Sequence, residues 1–217
     1  NFSSVCQTDS ISPTTTSATE DSLNVSNNDN ARSTLGEIKK ANVIRLVIGQ
    51  LNVNSIRHKI DTLRALVTDY VDILILNETK LDESFTSNQF HIDGFLSPFR
   101  LDRTSRGGGI LIYIREDIPC KLLTNHSLST TFEGLFLEIN IRRSKWLLFG
   151  GYNPHKNNIS SFLQKLGSSL ETYLPKYEII LILGDFNSEP SEPHMETFTG
   201  VYNVKNLIKE PTCFKNP

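Results

Sequence analysis

Four short apolar runs in this chain end in polar groups, and that pattern most limits what it can fold into. Val43–Leu51 runs into Asn52-Val-Asn54. Val71–Leu76 closes on Asn77-Glu78, and Trp146–Gly151 on Tyr152-Asn153-Pro154. Ile179–Leu183, the most apolar of the four, is followed at once by Gly184-Asp185-Phe186-Asn187. Strands apolar throughout need cover on both faces, which argues for sheets flanked by helices. The cover is available. Lys59–Tyr70 has Ile60, Leu63, Leu66 and Val67 at helical spacing, and Ile159–Tyr173 has Phe162, Leu163, Leu166 and Leu170. Ile110–Ile114 and the alternating Phe132–Ile141 add two further strands. The 79–106 connection has little periodicity and is expected to form loops on the site side.

Composition fits one globular domain with an added segment: 217 residues, 38% hydrophobic, 21% charged. Residues 1–34 are dominated by Ser, Thr, Asn and Asp, too polar to offset their ordering entropy. Residues 1–40 are therefore expected to be a disordered leader or linker, and 41–217 the folded domain. The formal net charge is −2, and outside residues 1–40 the 19 acids balance the 19 bases. Overall charge thus gives no sign of nucleic-acid binding, although a local basic face would suffice. Cys6, Cys120 and Cys213 have neither disulfide-framework nor metal-ligand spacing, which favours a reducing compartment. No apolar stretch reaches the ~18 residues of a membrane span, and no secretory or targeting signal is evident. An intracellular protein with no membrane partner is expected.

The polar strand ends carry the chemistry. Ligands in α/β proteins gather at the carboxyl ends of strands. Here those ends present Asn52 and Asn54, Glu78, Tyr152, and Asp185 with Asn187. Carboxylates, amide oxygens and a phenol, without clustered Cys or His, suit a hard cation such as Mg2+ or Mn2+. Each piece alone has a plainer explanation. Glu78 suits a solvated loop, Tyr152 a packed turn aromatic, Asn52 a turn bonding its own backbone. Joint occurrence at four strand ends favours a site.

The stretches LNVNSIRHK (51–59), ILILNETKL (73–81), FRLDRTSRGGGILIYIRE (99–116), FGGYNP (149–154) and LILGDFN (181–187) resemble the endonuclease/exonuclease/phosphatase superfamily. More narrowly, they are similar to the endonuclease domain of non-LTR retrotransposons. The resemblance covers residues 43–217. It implies a DNase I-like, four-layer α/β sandwich of two packed mixed or antiparallel sheets flanked by helices, which modifies the parallel arrangement suggested by the apolar runs. It also implies a Mg2+- or Mn2+-dependent endonuclease that nicks DNA for a reverse transcriptase region of the same polyprotein, in the nucleus. By resemblance Glu78 and Asn54 belong to the metal shell, and Asp185 orients the attacking water with Asn187 supporting it. Asn52 contacts phosphate or supports the metal, and Tyr152 bonds the scissile phosphate. Arg57, Lys59, Lys80, Arg100, Arg103 and Arg106 would lie along the DNA backbone.

The family site ends in an Asp-His pair, and these residues contain no Asp-His dipeptide. The domain is accordingly expected to be incomplete at its C-terminus, missing its last strands. His194 is read as a loop residue, and His155 is the histidine nearest the site in sequence. Gly107–Gly109 suits either a phosphate approach or a tight turn into a strand. Two other functions stay open: a phosphoesterase of the same fold acting on a non-DNA ester, and a degenerate, non-catalytic DNA-binding remnant.

Overall fold

The structure, a computed structural model, describes residues 25–42, 45–129, 132–154, 159–189 and 191–208. Side-chain alternation explains why the runs are apolar throughout. In β2 (Ile73–Asn77), Ile73 and Ile75 point into one core while Leu74 and Leu76 point into another. In β4 (Ile110–Ile114), Ile110, Ile112 and Ile114 face inward while Leu111 and Tyr113 face outward. Both strands are lined on both faces by buried hydrophobes, which is why their runs are apolar.

Two four-stranded sheets enclose the inner core. One has the order β1-β2-β4-β3, with β1 at Ile48–Asn52 and β3 at Phe99–Leu101. The other has the order β5-β6-β7-β8: β5 Cys120–Ser129, β6 Phe132–Ile141, β7 Ser144–Tyr152, β8 Ile179–Asp185. Leu135, Leu137, Ile139, Leu148, Leu181 and Leu183 of the second sheet meet the isoleucines of the first. Outside the first sheet lie α1 (Val25–Ala41) and α2 (Ile60–Val67), which contribute Leu35, Ile60, Leu63, Leu66 and Val67 to an outer core. Outside the second lie α3 (Ile159–Glu171) and α4 (Pro193–Tyr202), packed on Phe136, Leu147 and Phe149. The four layers match the sandwich expected by resemblance.

Most pairings are antiparallel, but β1 with β2 and β7 with β8 are parallel. α2 connects β1 to β2, and α3 connects β7 to β8, as parallel neighbours require. The parallel pairs set the carboxyl end of each strand beside that of its neighbour. Asn52 is in register with Asn77, and Tyr152 with Asp185. An antiparallel partner would instead present its amino end.

The expectation of a disordered leader through residue 40 fails over 25–40, which form most of helix α1; residues 1–24 lie outside the described ones. Ala31, Leu35 and Ile38 make a narrow stripe at helical spacing, and all three pack on the outer core. Lys39 fixes the helix end by bonding both carboxylate oxygens of the buried Asp72 at 2.8 Å. A polar composition concealed the stripe because three apolar residues in one helix suffice. His194 is likewise not in a loop: it lies in the first turn of α4, with Nδ1 2.8 Å from Glu192 Oε1. The 79–106 connection is not loop alone, since it contains a 3-10 turn at Ser87–Phe90 and the short β3. Val43 and Ile44 lie outside the described residues, and the first strand begins at Ile48.

Candidate active site

The inner core ends in polar groups at the carboxyl edges of β1, β2, β7 and β8. Strand alternation puts them there. Asn52 has the same parity as Ile48, Asn77 as Ile75, Asp185 as Leu183, and Tyr152 as Leu148.

Asn52 is the centre of the cluster. Its Nδ2 donates to Glu78 Oε1 and to Asp185 Oδ2, both at 2.8 Å, joining the two sheets. The Tyr152 hydroxyl donates to the same Glu78 oxygen at 3.0 Å. The Asn54 N–H donates to Asn52 Oδ1 at 3.0 Å, which sets the amide with its NH2 toward the acids. The Asn187 N–H donates to Asp185 Oδ1 at 3.0 Å. The Asn187 side chain turns away from the acids and donates to Asn153 O at 2.8 Å, while Asn153 donates to Phe186 O at 2.9 Å. Asn187 therefore fixes the end of β8.

The backbone here is strained. Asn54, Ser55, Glu78, Lys80 and Asn187 all have positive φ, five of the eight such non-glycine residues among those described. Strain of this kind costs on the order of 1 kcal/mol or more per residue and gathers at functional sites. Gly184 meets a harder constraint: at φ +151° it runs so close to β7 that a Cβ would overlap the Gly151 carbonyl oxygen.

Glu78 and Asp185 share one amide donor, and neither pairs with a lysine or arginine among the described residues. Two carboxylates so held attract a cation. The donors are hard oxygens, and Glu78 Oε2 accepts no hydrogen bond from the described residues. No group of three or more His, Cys, Asp or Glu side chains that could hold a metal gathers among the described residues. A site with few protein ligands fits Mg2+, which keeps waters and takes phosphate oxygens. Tyr152 stays a protonated donor: burial pushes its pKa well up, and the charges of Glu78, Asp185 and Glu133 push the same way.

The basic residues expected along DNA divide. Arg57 donates to Lys80 O at 3.0 Å and Ser105 O at 2.9 Å, and its guanidinium lies over the Phe85 ring. Arg100 bonds Phe85 O at 2.8 Å and pairs with Asp102 at 2.6 Å. Both brace the 79–106 connection. Lys59 donates to Val53 O at 2.5 Å, and Lys80 to Asn54 Oδ1. Both lie against the Asn52–Asn54 segment. Arg103 pairs with Glu133 at 2.9 Å, and Arg106 is exposed on the turn. His155 lies outside the described residues.

Three functional candidates escaped the sequence. Gln50 donates to Asn77 Oδ1 at 2.7 Å, and Asn77 donates to Gly151 O at 3.0 Å, a buried polar link between the sheets. Glu133, 2% exposed, accepts from the Gly109 N–H at 2.8 Å. All three are polar residues at inward-facing positions of apolar strands, and that parity was their available signal.

The fold has well-matched neighbours. The human Nocturnin catalytic domain with bound sulfate superposes with TM-score 0.53 at 15% identity, over 70% of this chain and 67% of that one. D. rerio TDP2 in complex with a single-strand DNA product gives 0.50 at 16%, over 75% and 66%. An endonuclease/exonuclease/phosphatase family protein from Bacteroides thetaiotaomicron gives 0.55 at 10%, over 72% and 67%. The chain thus spans about two thirds of each of these structures. No curated protein sequence matches it. The family model for endonucleases, exonucleases and phosphatases matches residues 49–206, a span that runs from β1 past α4 and includes every strand end of the cluster. The chain belongs to the endonuclease/exonuclease/phosphatase family.

Proposed function

We propose that the chain hydrolyses phosphodiester bonds in DNA with Mg2+ or Mn2+, as the nicking domain of a retrotransposon-type element. The observation that carries this is the Asn52 amide holding Glu78 and Asp185 together beside the Tyr152 phenol. Glu78 would hold the cation through Oε2, with Asn54 on the adjoining turn. When bound, the cation supplies charge neutralisation at the phosphate. Asp185, fixed by Asn52 and by the Asn187 N–H, keeps acceptor capacity to orient a water for in-line attack. Tyr152, held protonated, donates to a phosphate oxygen in place of Glu78. Arg103, Arg106, Lys59 and Lys80 supply positive charge at the rim. The sulfate in Nocturnin and the DNA product in D. rerio TDP2 support an anionic substrate of this class. In this role the partners are DNA and a reverse transcriptase region of the same polyprotein, acting in the nucleus.

A supercoiled-plasmid nicking assay tests this. The expected result is Mg2+-dependent nicking that is abolished by EDTA and falls about 100-fold or more in Glu78→Gln and in Asp185→Asn. Nicking that persists in both variants overturns it. Salt-dependent DNA binding without nicking selects a non-catalytic binding module. Hydrolysis of a lipid or small phosphate ester without nicking selects a phosphoesterase.

A further inference from the structure

Glu133 is a buried acid at the start of β6, and the proposed chemistry does not use it. It sits one strand from the site, in register with Tyr152. One carboxylate oxygen accepts from the Gly109 N–H at 2.8 Å, and the other accepts from Arg103 at 2.9 Å. The glycine turn continues the chain of contacts. Gly109 O accepts from the Thr79 N–H at 3.3 Å, and Gly108 O accepts from the Lys80 N–H at 3.0 Å. Thr79 and Lys80 directly follow Glu78, whose φ is +55°. Glu78 O and Thr79 O in turn accept from the Ser55 and Ile56 N–H groups, at 2.7 and 3.1 Å.

The turn is closed to phosphate by its own neighbours. A Cβ at Gly108 would overlap Arg103 and Glu133, and one at Gly109 would overlap Thr79 Oγ1. Gly108 and Gly109 also have φ of +73° and +92°. Of the N–H donors a bound anion would need, that of Gly109 already bonds Glu133 and that of Gly107 bonds Thr104 O. Of the two uses open to Gly107–Gly109, the tight turn prevails.

We propose that Glu133 is a positioning residue for Glu78: through Gly109 and Gly108 it clamps the Thr79–Lys80 backbone and so holds the left-handed turn that aims the Glu78 carboxylate. Arg103 supplies the countercharge that keeps Glu133 available as an acceptor in its buried setting. The proposal rests on Glu78 as the cation-holding carboxylate. Partners that orient a ligand are worth about 10–100-fold in metal affinity or activity.

The test compares wild type with Glu133→Gln in two ways. Mn2+ binding, followed by the EPR signal of free Mn2+, is expected to weaken about tenfold or more. In hydrogen exchange measured without metal, the Thr79 and Lys80 amides are expected to exchange at least about tenfold faster, while the β2 and β4 amides keep their protection. Glu133→Gln that leaves exchange at Thr79 and Lys80 unchanged overturns the proposal, whether or not metal binds. Wild type that fails to bind Mn2+ overturns the cation role of Glu78, and the exchange result still decides the clamp. If Glu133→Gln does not fold, Glu133→Asp takes its place, shortening the side chain and withdrawing the carboxylate from the Gly109 N–H. It should release the same two amides, and full protection there counts against the clamp.

Discussion

Asn52 and Asp185 lie 133 positions apart in sequence and on different sheets, yet the Asn52 Nδ2 reaches the Asp185 carboxylate at 2.8 Å. The same nitrogen reaches Glu78 at 2.8 Å, so one amide separates two acids that would otherwise repel. Asn52→Ala should leave both acids without that donor. A hydrogen bond to a charged group contributes about 1.5–3 kcal/mol, and removing this donor should lower stability by about that much. Urea melts measure it. Added Mg2+ should restore more stability to the variant than to wild type, since the cation relieves the same repulsion.

Tyr152→Phe keeps the ring in the inner core and removes only the hydroxyl. Stability should change by less than about 1.5 kcal/mol, because the Glu78 oxygen it leaves still accepts from Asn52. Turnover should fall about 10²–10³-fold with KM little changed, as when one donor to a developing charge is lost. Steady-state nicking rates distinguish this from a packing defect, which would lower the midpoint of thermal unfolding as well.

Gly184→Ala places a methyl group against the Gly151 carbonyl at the point where β7 and β8 pair. Neither backbone can withdraw without breaking the parallel ladder that carries Tyr152 and Asp185. The substitution should cost at least about 3 kcal/mol, read as a lower urea midpoint.

Asp72 binds Lys39 of α1, Arg115 after β4 at 2.9 Å, and the Val47 N–H at 2.7 Å. Lys39→Met leaves the acid two partners and should cost about 1 kcal/mol. Asp72→Ala strands Lys39 and the Val47 donor, while Arg115 keeps Asp117, and should cost about 3 kcal/mol or more. A double-mutant cycle in thermal melts measures the coupling. Additive losses would show that α1 is not held through this pair.

Burial raises the pKa of Glu133, opposed by the Gly109 N–H and by Arg103. The folded state therefore holds this proton more tightly than the unfolded chain does. As pH rises through the window between the ordinary glutamate value, about 4.3, and the raised folded value, Glu133 subtracts stability. Wild type should lose stability relative to Glu133→Gln across that window and run parallel to it above. Paired urea titrations at several pH values check the sign.

Several features were legible in the residues themselves. Alternation within the apolar runs marked strands buried on both faces, and the polar residue ending each run marked the site edge. Glu78, Tyr152 and Asp185 stood out because each lies within two residues of the end of such a run. Helices α2 and α3 showed through their broad apolar stripes, whereas α1 did not, because a narrow stripe of three residues is lost in a polar segment. Glu133 and Gln50 stayed hidden because their strands read as plain core.

The sequence by itself determined the six apolar strands, which faces they bury, and which polar groups terminate them, because alternation and burial are local properties; β3 and β5 carry no such run. Only the tertiary structure decided which strand ends meet. Parallel pairing of β1 with β2 and β7 with β8 is a matter of long-range register, and it sets four carboxyl ends on one edge of the sandwich. It also separated the basic residues by task. Arg57 and Arg100 find backbone carbonyls across the 79–106 connection, and no local pattern distinguishes them from Arg106, which stays exposed.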